Sequence, residues 1–351
     1  MILHTFLSKE LTGSGKRKFF PAFAGYPPEV EHIRVMEHFL DCSRIVNRWN
    51  RDTPPRLWVA PGDRVTLQMK DASDGQVWPG ISPEEFAQLD PLRIHALTGP
   101  VGIEGAEPGD RLVIEIESYE HEGWAWTSIM PGLGLLPDDF PNRFLHIWKL
   151  EDGVTRSMPG LEIPLAPFCG IIGVQPAASG EFRTRPPGIN GGNMDVRHLT
   201  AGSRLHLPVL TPGAGLCAGD CHAAQGDGEV SINGMEAPMT VRFKIDLLKK
   251  APLSGPYVEC PGPLEPEAFR TCAHHLFVES DEDAREAARR VVRRAVDYLV
   301  QRLGLSPEQA YVTCSVVLRL KISQLVNVPM ITITGYLPEA IFLEPSRQLP
   351  A

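Results

Sequence analysis

Gly219-Asp-Cys-His-Ala-Ala-Gln-Gly-Asp-Gly-Glu229 closes an apolar run, residues 209–222, and opens a glycine-rich turn. Read as the end of a strand, the run puts Asp220 and His222 on one face, because side chains two apart on a strand point the same way. Gly226 and Gly228 admit backbone conformations closed to other residues, so the chain can turn tightly and carry Asp227 and Glu229 back toward that pair. Carboxylates, an imidazole and a carboxamide are thereby gathered among small residues at a strand end, a density that suggests a reaction site. The plainer reading is a polar surface hairpin. His222 and Gln225 inside the turn signal argue against it, since solubility alone does not call for them.

Working outward, the 33 prolines and 32 glycines break the first two thirds of the chain into short segments, which favours strands and turns over long helices. Residues 56–59, 64–69 and 111–116 read as strands, two of them preceded by Pro-Gly-Asp turns at Pro61 and Pro108. The glycine- and proline-rich stretches 130–139 and 185–193 are candidate walls or lids over a cleft. After Pro252 the pattern changes. Ser280, with Asp283 at capping-box spacing, predicts a helix start, and apolar residues then recur at helical intervals to Gly304. Ser306, Pro307 and Gln309 predict a second, shorter helix, followed by strands at 318–326 and 330–334. The expected fold is mainly β, sandwich- or barrel-like, with a C-terminal α+β portion. Three regions are expected: an N-terminal β-rich domain (1–150), a central β region carrying the site (151–250) and the α+β region (251–351).

Composition narrows the function. The chain has 351 residues, long for one core, with 34 Lys+Arg against 43 Asp+Glu and a formal net charge of -9. That balance argues against a nucleic-acid partner, and the cluster Lys16-Arg17-Lys18 is too short to reverse it. With no apolar run of about 18 residues and no signal-peptide pattern, the expectation is a soluble cytoplasmic protein without a membrane partner. Seven cysteines, an odd number scattered through the chain, read as reduced thiols. Gly13-Ser14-Gly15-Lys16 lacks the first glycine and the final Ser/Thr of a phosphate loop.

Four segments, in order, carry a resemblance: Leu97-Thr-Gly-Pro-Val-Gly-Ile-Glu-Gly-Ala-Glu-Pro-Gly-Asp110, Pro167-Phe-Cys-Gly-Ile-Ile-Gly-Val174, Gly191-Gly-Asn-Met-Asp195 and residues 219–230. Together they resemble the acetamidase/formamidase family, from about residue 54 to the C-terminal strands. The resemblance implies hydrolysis of a short carboxamide, of the formamide or acetamide class, to carboxylate and ammonia. It also implies a divalent metal ion in the site, a β-rich fold with a C-terminal α+β portion, and a homo-oligomer.

The residues themselves suit metal-assisted hydrolysis. An amide carbonyl is a poor electrophile, so water must be made more nucleophilic while the developing oxyanion is stabilised, and one divalent cation does both. Carboxylate and imidazole ligands suit zinc. Asp195, Asp220 and His222 are accordingly the expected ligands, Glu229 the expected general base, and Gln225 and Asn193 the expected contacts to the substrate amide. Each has a duller alternative: Asp195 could pair with Arg197, His222 could bond a backbone carbonyl, and Asp220 and Asp227 could close Asx-turns. Asp71 and Glu104 stand as second-rank candidates. Cys221 faces away from His222 if both lie on a strand, which argues against a thiolate nucleophile. A β-rich module that binds a small polar ligand without turnover remains the non-enzymatic alternative.

Overall fold

The computed structural model describes residues 35–344. Alternation builds its first sheet. Val65, Leu67 and Met69, Leu112, Ile114 and Ile116, and Met239, Val241, Phe243 and Ile245 recur at every second position and are at most 1% exposed. In a strand that spacing loads one face with apolar side chains and leaves the other for polar ones. The resulting six-stranded sheet runs, in spatial order, Glu37–Leu40, Arg64–Met69, Met239–Leu248, Arg111–His121, Arg204–Pro208 and Tyr257–Glu259. Strands from both sides of residue 150 therefore share one sheet.

The two Pro-Gly-Asp turns have the same construction. In each the glycine takes a positive φ, +97° at Gly62 and +94° at Gly109. The aspartate carboxylate then accepts from the backbone N–H three residues upstream, Ala60 at 3.0 Å for Asp63 and Glu107 at 2.9 Å for Asp110. The strands that follow flank Met239–Leu248 on its two sides.

A second sheet is built differently. Its strands Leu97–Ile103, Phe168–Gly173 and Leu216–His222 are buried at every position, as continuous runs of apolar and small residues require. Gly191–Asn193 extends it beyond Phe168–Gly173, and Ile45–Val46 and Leu57–Val59 pair with Leu97–Ile103. The first sheet covers one face: Cys221 Sγ lies 3.4 Å from Met69 Sδ, and the Thr98 hydroxyl donates to the Gln68 carbonyl at 2.7 Å. The body is thus two stacked sheets. The predicted strand at 209–222 is shorter, Leu216–His222, because Gly213, Ala214 and Gly215 all take positive φ and break the run.

The C-terminal layer is a three-stranded antiparallel sheet, His274–Asp281, Ile331–Pro338 and Arg319–Gln324, with helix Ala284–Leu303 packed on it. The helix is capped by Asp283, not Ser280. Pairing with Ile331–Pro338 holds the chain extended through Asp281, and Ser280 instead bonds Thr332 across the sheet at 2.8 Å. The second helix, Pro307–Val317, starts on the predicted Ser306/Gln309 capping box. The basic cluster at residues 16–18 and the fragment Gly13-Ser14-Gly15-Lys16 lie outside the described residues. Among the described residues no helix is long and apolar enough to cross a membrane.

The second helix braces the loop that follows Leu216–His222. The Gly226 amide donates to the Ser315 carbonyl at 2.9 Å, and the Ser315 hydroxyl donates to the Asn233 carbonyl at 2.8 Å. A Cβ at position 226 would lie 2.1 Å from the Leu318 carbonyl oxygen and 3.0 Å from its N and C atoms. Backbone cannot yield as a flexible side chain does, so Gly226→Ala is expected to destabilise the fold by about 1–3 kcal/mol. Urea unfolding should show a lower midpoint at unchanged m-value. An unaltered midpoint would mean that loop and helix are not tightly joined.

Candidate active site

Antiparallel pairing of Phe168–Gly173 with Leu216–His222 sets Gly170 across from Asp220. A Cβ on Gly170 would come 2.6 Å from Asp195 Oδ1 and 3.1 Å from Asp220 Oδ2. The missing side chain is what lets two carboxylates share this spot. Asp195 follows the edge strand Gly191–Asn193 and its amide bonds the Gly170 carbonyl, so it is brought in from the neighbouring strand. Asp195, Asp220 and Glu229 sit at φ of +49°, +54° and +46°. For L-residues that left-handed region costs roughly 1–2 kcal/mol each, and strain of this kind concentrates at functional sites.

One ligand atom each from Asp195, Asp220 and His222 lies within 4.8 Å of the others, and the same holds for His222, Glu229 and Glu236. His222 Nε2 is 3.0 Å from Glu236 Oε1 and 3.7 Å from Asp220 Oδ1. His222, Glu236 and Asp220 are 0%, 1% and 3% exposed. Four carboxylates therefore surround one buried imidazole, Asp220 and Glu236 buried and Asp195 and Glu229 half-buried. Burial, assisted by Asp220 and only partly offset by His222, pushes the Asp195 carboxyl up to about 7 and Glu236 up to about 8. Burial and the Asp195 charge also hold Glu229 well above the usual carboxylate range. Asp220 moves the other way: burial opposes its charge, but the His95 and His222 imidazoles outweigh it and lower its pKa. On His222 burial disfavours the charged form, yet Glu236 and Asp220 raise its pKa well above the ordinary value.

Asp195 Oδ1, His222 Nε2 and Glu236 Oε2 are buried without a hydrogen-bond partner. Although His222 Nε2 approaches Glu236 closely, the geometry is not that of a hydrogen bond. Such orphans are costly and rare, and a divalent cation held by Asp195, Asp220 and His222 would satisfy two of them, Asp195 Oδ1 and His222 Nε2, while offsetting the charge of the acids. The other imidazole nitrogen suits this: His222 Nδ1 lies 2.6 Å from Gln225 Oε1, a contact that favours a proton on Nδ1, so that once a cation displaces the Nε2 proton, Nε2 would be the ligand atom.

The structure thus brings Asp195, Asp220, His222 and Glu229 together. Gln225 is engaged otherwise than expected, holding His222 and donating to the Asp195 carbonyl at 3.3 Å. Asn193 lines the cavity beside the cluster; its Nδ2 donates to the Arg185 carbonyl at 3.1 Å, while Oδ1 is buried and unpartnered. Asp227 turns away to Arg197, Nε to Oδ1 at 2.7 Å, so Arg197 pairs with Asp227 and Glu265 and not with Asp195. Asp71 is buried and its oxygens accept from Ser73, Gly75 and Trp126, whereas Glu104 is exposed. Cys221 faces the first sheet, and the Cys169 thiol beside it, with burial, pushes its own thiol well above the ordinary range. Trp126 lines the cavity, whereas Phe168 is core packed edge-on to His222, ring centroids 5.0 Å apart.

Three participants escaped sequence reasoning. Glu236, in Gly234-Met-Glu-Ala-Pro, comes in when the chain doubles back to bridge with His222 and Trp126. His95 stands two residues before the segment at Leu97 and lines the cavity near Asp220. Asn233 accepts from the Ser128 amide and hydroxyl through Oδ1, at 3.0 and 3.2 Å, which leaves Nδ2 buried and unpartnered at the cavity wall. The cavity is about 260 Å³, its remaining wall largely apolar, with Ile94, Trp126, Met130 and Leu133 from the loops expected to cover a cleft and their neighbours.

Comparison with known proteins agrees in extent as well as in kind. The family model described as "Acetamidase/Formamidase family" matches residues 35–180 and 177–344. A formamidase of Methylophilus methylotrophus is 28% identical, the alignment covering 85% of this chain and 89% of that one. An acetamidase of Mycolicibacterium smegmatis is 28% identical over 76% and 83% of the two chains. Among solved structures, a gamma lactamase from Delftia acidovorans superposes with a TM-score of 0.81 at 27% identity, covering 90% of this chain and 96% of that one. Because the family match spans both sheets, the cavity and the C-terminal layer, the chain belongs to the acetamidase/formamidase family.

Proposed function

We propose that this protein hydrolyses a carboxamide to carboxylate and ammonia at the Asp195/Asp220/His222/Glu229/Glu236 cluster, with a divalent cation, zinc by the chemistry of its ligands, held by Asp195, Asp220 and His222. The observation that carries the reading is the grouping of Asp195, Asp220 and His222, one ligand atom of each within 4.8 Å of the others, with Asp195 Oδ1 and His222 Nε2 buried and unpartnered, beside a cavity of substrate size that Asp220 lines. The formamidase and acetamidase relatives cleave, by their names, the same type of bond. The cation would supply Lewis acidity, polarising the carbonyl and making water a nucleophile at neutral pH.

The chain's own residues do the rest. Glu229 borders the cavity, and its raised pKa makes it a stronger base when ionised and a competent acid when protonated. It takes a proton from the attacking water and returns it to the departing nitrogen. Asn233 Nδ2 donates to the carbonyl oxygen as negative charge develops there, and Asn193 Oδ1 accepts an N–H of the amide. Gln225 acts one step removed, by fixing the His222 tautomer. His95 lies near Asp220; burial lowers its pKa, and in its protonated form its charge favours the ionised carboxylate. The soluble cytoplasmic setting and the homo-oligomer expected from the sequence and the resemblance belong to this same reading.

A ligand is needed for metal retention and a proton-transfer group mainly for turnover. His222→Ala should lower metal content and amide turnover together. Glu229→Gln should keep its metal while turnover falls by roughly 100-fold or more; loss of metal in Glu229→Gln with retention in His222→Ala would reverse the two roles. Removing the Nδ1 acceptor with Gln225→Leu should weaken metal binding by about 10–100-fold. A raised KM at unchanged metal affinity would instead return Gln225 to the substrate. Cys221→Ala should retain most activity, and a loss of several orders of magnitude in a folded protein would point to a thiolate nucleophile.

A further inference from the structure

The cavity changes sign along its length. Its inner end carries the buried acids Asp220 and Glu236, its middle is apolar, and two arginines, Arg143 and Arg185, line its exposed end. A second cavity, of about 220 Å³, shares Pro91, Ile94, Leu133 and Arg185 with the first and adds Arg48 and Arg183. Four guanidinium groups thus border one entrance, on a chain whose formal net charge is -9. Elsewhere on the surface most arginines are neutralised by their neighbours, as Arg64 by Glu117, Arg293 by Asp139 and Arg204 by Glu115, while Arg44, Arg51 and Arg285 are exposed and, among the described residues, without an ion pair, but stand apart from these cavities. At the entrance, among the described residues, none of the four makes an ion pair, and the Arg48 guanidinium bonds backbone carbonyls, Asn47 at 2.7 Å.

The arrangement is also locally unfavourable. Phe182–Arg183 pairs antiparallel with Arg48–Trp49 so that Arg183 stands directly across from Arg48. Like charges facing each other across a strand pair destabilise it. The Arg185 loop is tied to the reaction centre, since its carbonyl accepts from Asn193 and Thr184 Oγ1 lies 3.2 Å from His95 Nδ1. The cationic entrance is therefore held in fixed relation to the amide site.

From this geometry we infer that the substrate is an amide bearing an anionic group, a carboxylate separated from the scissile carboxamide by a short aliphatic spacer. The carboxamide enters toward Glu229 and Asn233, the spacer lies against Ile94 and Leu133, and the carboxylate is met by Arg185 and Arg143, with Arg183 and Arg48 beyond. Arginine suits this task because its planar fork pairs with a carboxylate through two hydrogen bonds. The reaction stays the hydrolysis proposed above, on which this inference rests. Water adds to the carboxamide carbon, the C–N bond breaks with its electron pair going to nitrogen, and the products are a dicarboxylate and ammonium.

The test uses metal-replete protein at low ionic strength and three amides of matched length: succinamate, which is anionic; 4-oxopentanamide, in which methyl replaces one carboxylate oxygen; and 4-aminobutanamide, which is cationic. Expected is a kcat/KM order of anionic, neutral, cationic, with at least a tenfold step from anionic to neutral, the step shrinking as salt screens the arginines. Arg185→Gln and the double variant Arg143→Gln/Arg185→Gln should reduce the anionic-to-neutral ratio by roughly tenfold or more, through KM. Calorimetric binding of succinate, compared with butyrate, reads the same entrance without turnover and should weaken in the same variants. Equal use of the three amides by the unmodified protein, or an unaltered ratio in a folded double variant, overturns the inference and leaves amide hydrolysis standing. Failure on every amide together with arginine-dependent succinate binding would instead overturn the hydrolytic reading and keep the anion site.

Discussion

The constraint on which this structure turns is the crowding of four carboxylates, two buried and two half-buried, around a single buried imidazole. Asp220 and Glu236 meet His222 out of water, and Asp195 and Glu229 join them from half-buried positions. Each uncompensated ion so placed costs several kcal/mol, and no hydrophobic benefit offsets that. Much of the surrounding architecture is a means of holding them there. Gly170 vacates the space that two of them share, and left-handed backbone at Asp195, Asp220 and Glu229 turns their side chains off the regular direction of the chain. The raised pKa values of Asp195, Glu229 and Glu236 express the same strain as a preference for protons. A divalent cation would relieve it with fewer particles and greater charge.

Rigidity has to come from outside the site, because like charges do not hold one another. The two stacked sheets supply it on one side through the strand Leu216–His222, buried at every residue. On the other side the helix Pro307–Val317 supplies it: the Tyr311 hydroxyl donates to the Val230 carbonyl and accepts from the Leu135 and Leu136 amides, at 3.1 and 3.0 Å. Ser315 bonds both the Ser231 amide and the Asn233 carbonyl. The C-terminal layer is therefore part of the site's scaffold. Arg197 and Arg319, both bound to Glu265, extend the brace to Asp227. That is a structural use for a carboxylate which sits, in sequence, among the site residues.

The outer cavity obeys a different logic from the inner cluster. Inner residues are fixed by buried hydrogen bonds and close strand contacts, whereas the entrance is formed by loops that need only present their side chains to solvent. Under the proposed reading, the inner cluster accounts for the bond that is cleaved and the entrance for which molecule presents it. A family whose relatives carry the names formamidase, acetamidase and gamma lactamase at under one-third identity to this chain is consistent with that separation.

Much of the framework could be read from the chain alone because it depends on local rules. Period-two alternation located Arg64–Met69 and the start of Arg111–His121, the Ser306/Gln309 box located the second helix, and the two-residue spacing placed Asp220 and His222 side by side. Where non-local pairing competes, local signals misled: Ser280 looks like a helix cap until the strand opposite is known. Glu236, His95 and Asn233 carried no signal, since an isolated Glu, His or Asn acquires its meaning only when strands distant in sequence deliver it to one cavity. Gln225 and Asp227 show the complementary case. From sequence Gln225 reads as a contact to the substrate amide and Asp227 as a carboxylate carried back toward Asp220 and His222 or closing an Asx-turn, and only the fold revealed that one is bonded to an imidazole and the other to an arginine. Sequence determines which groups are available and how neighbouring residues alternate; which of them face one another out of water is decided by tertiary packing, because hydrogen-bond partners and burial are properties of pairs that the chain brings together only on folding.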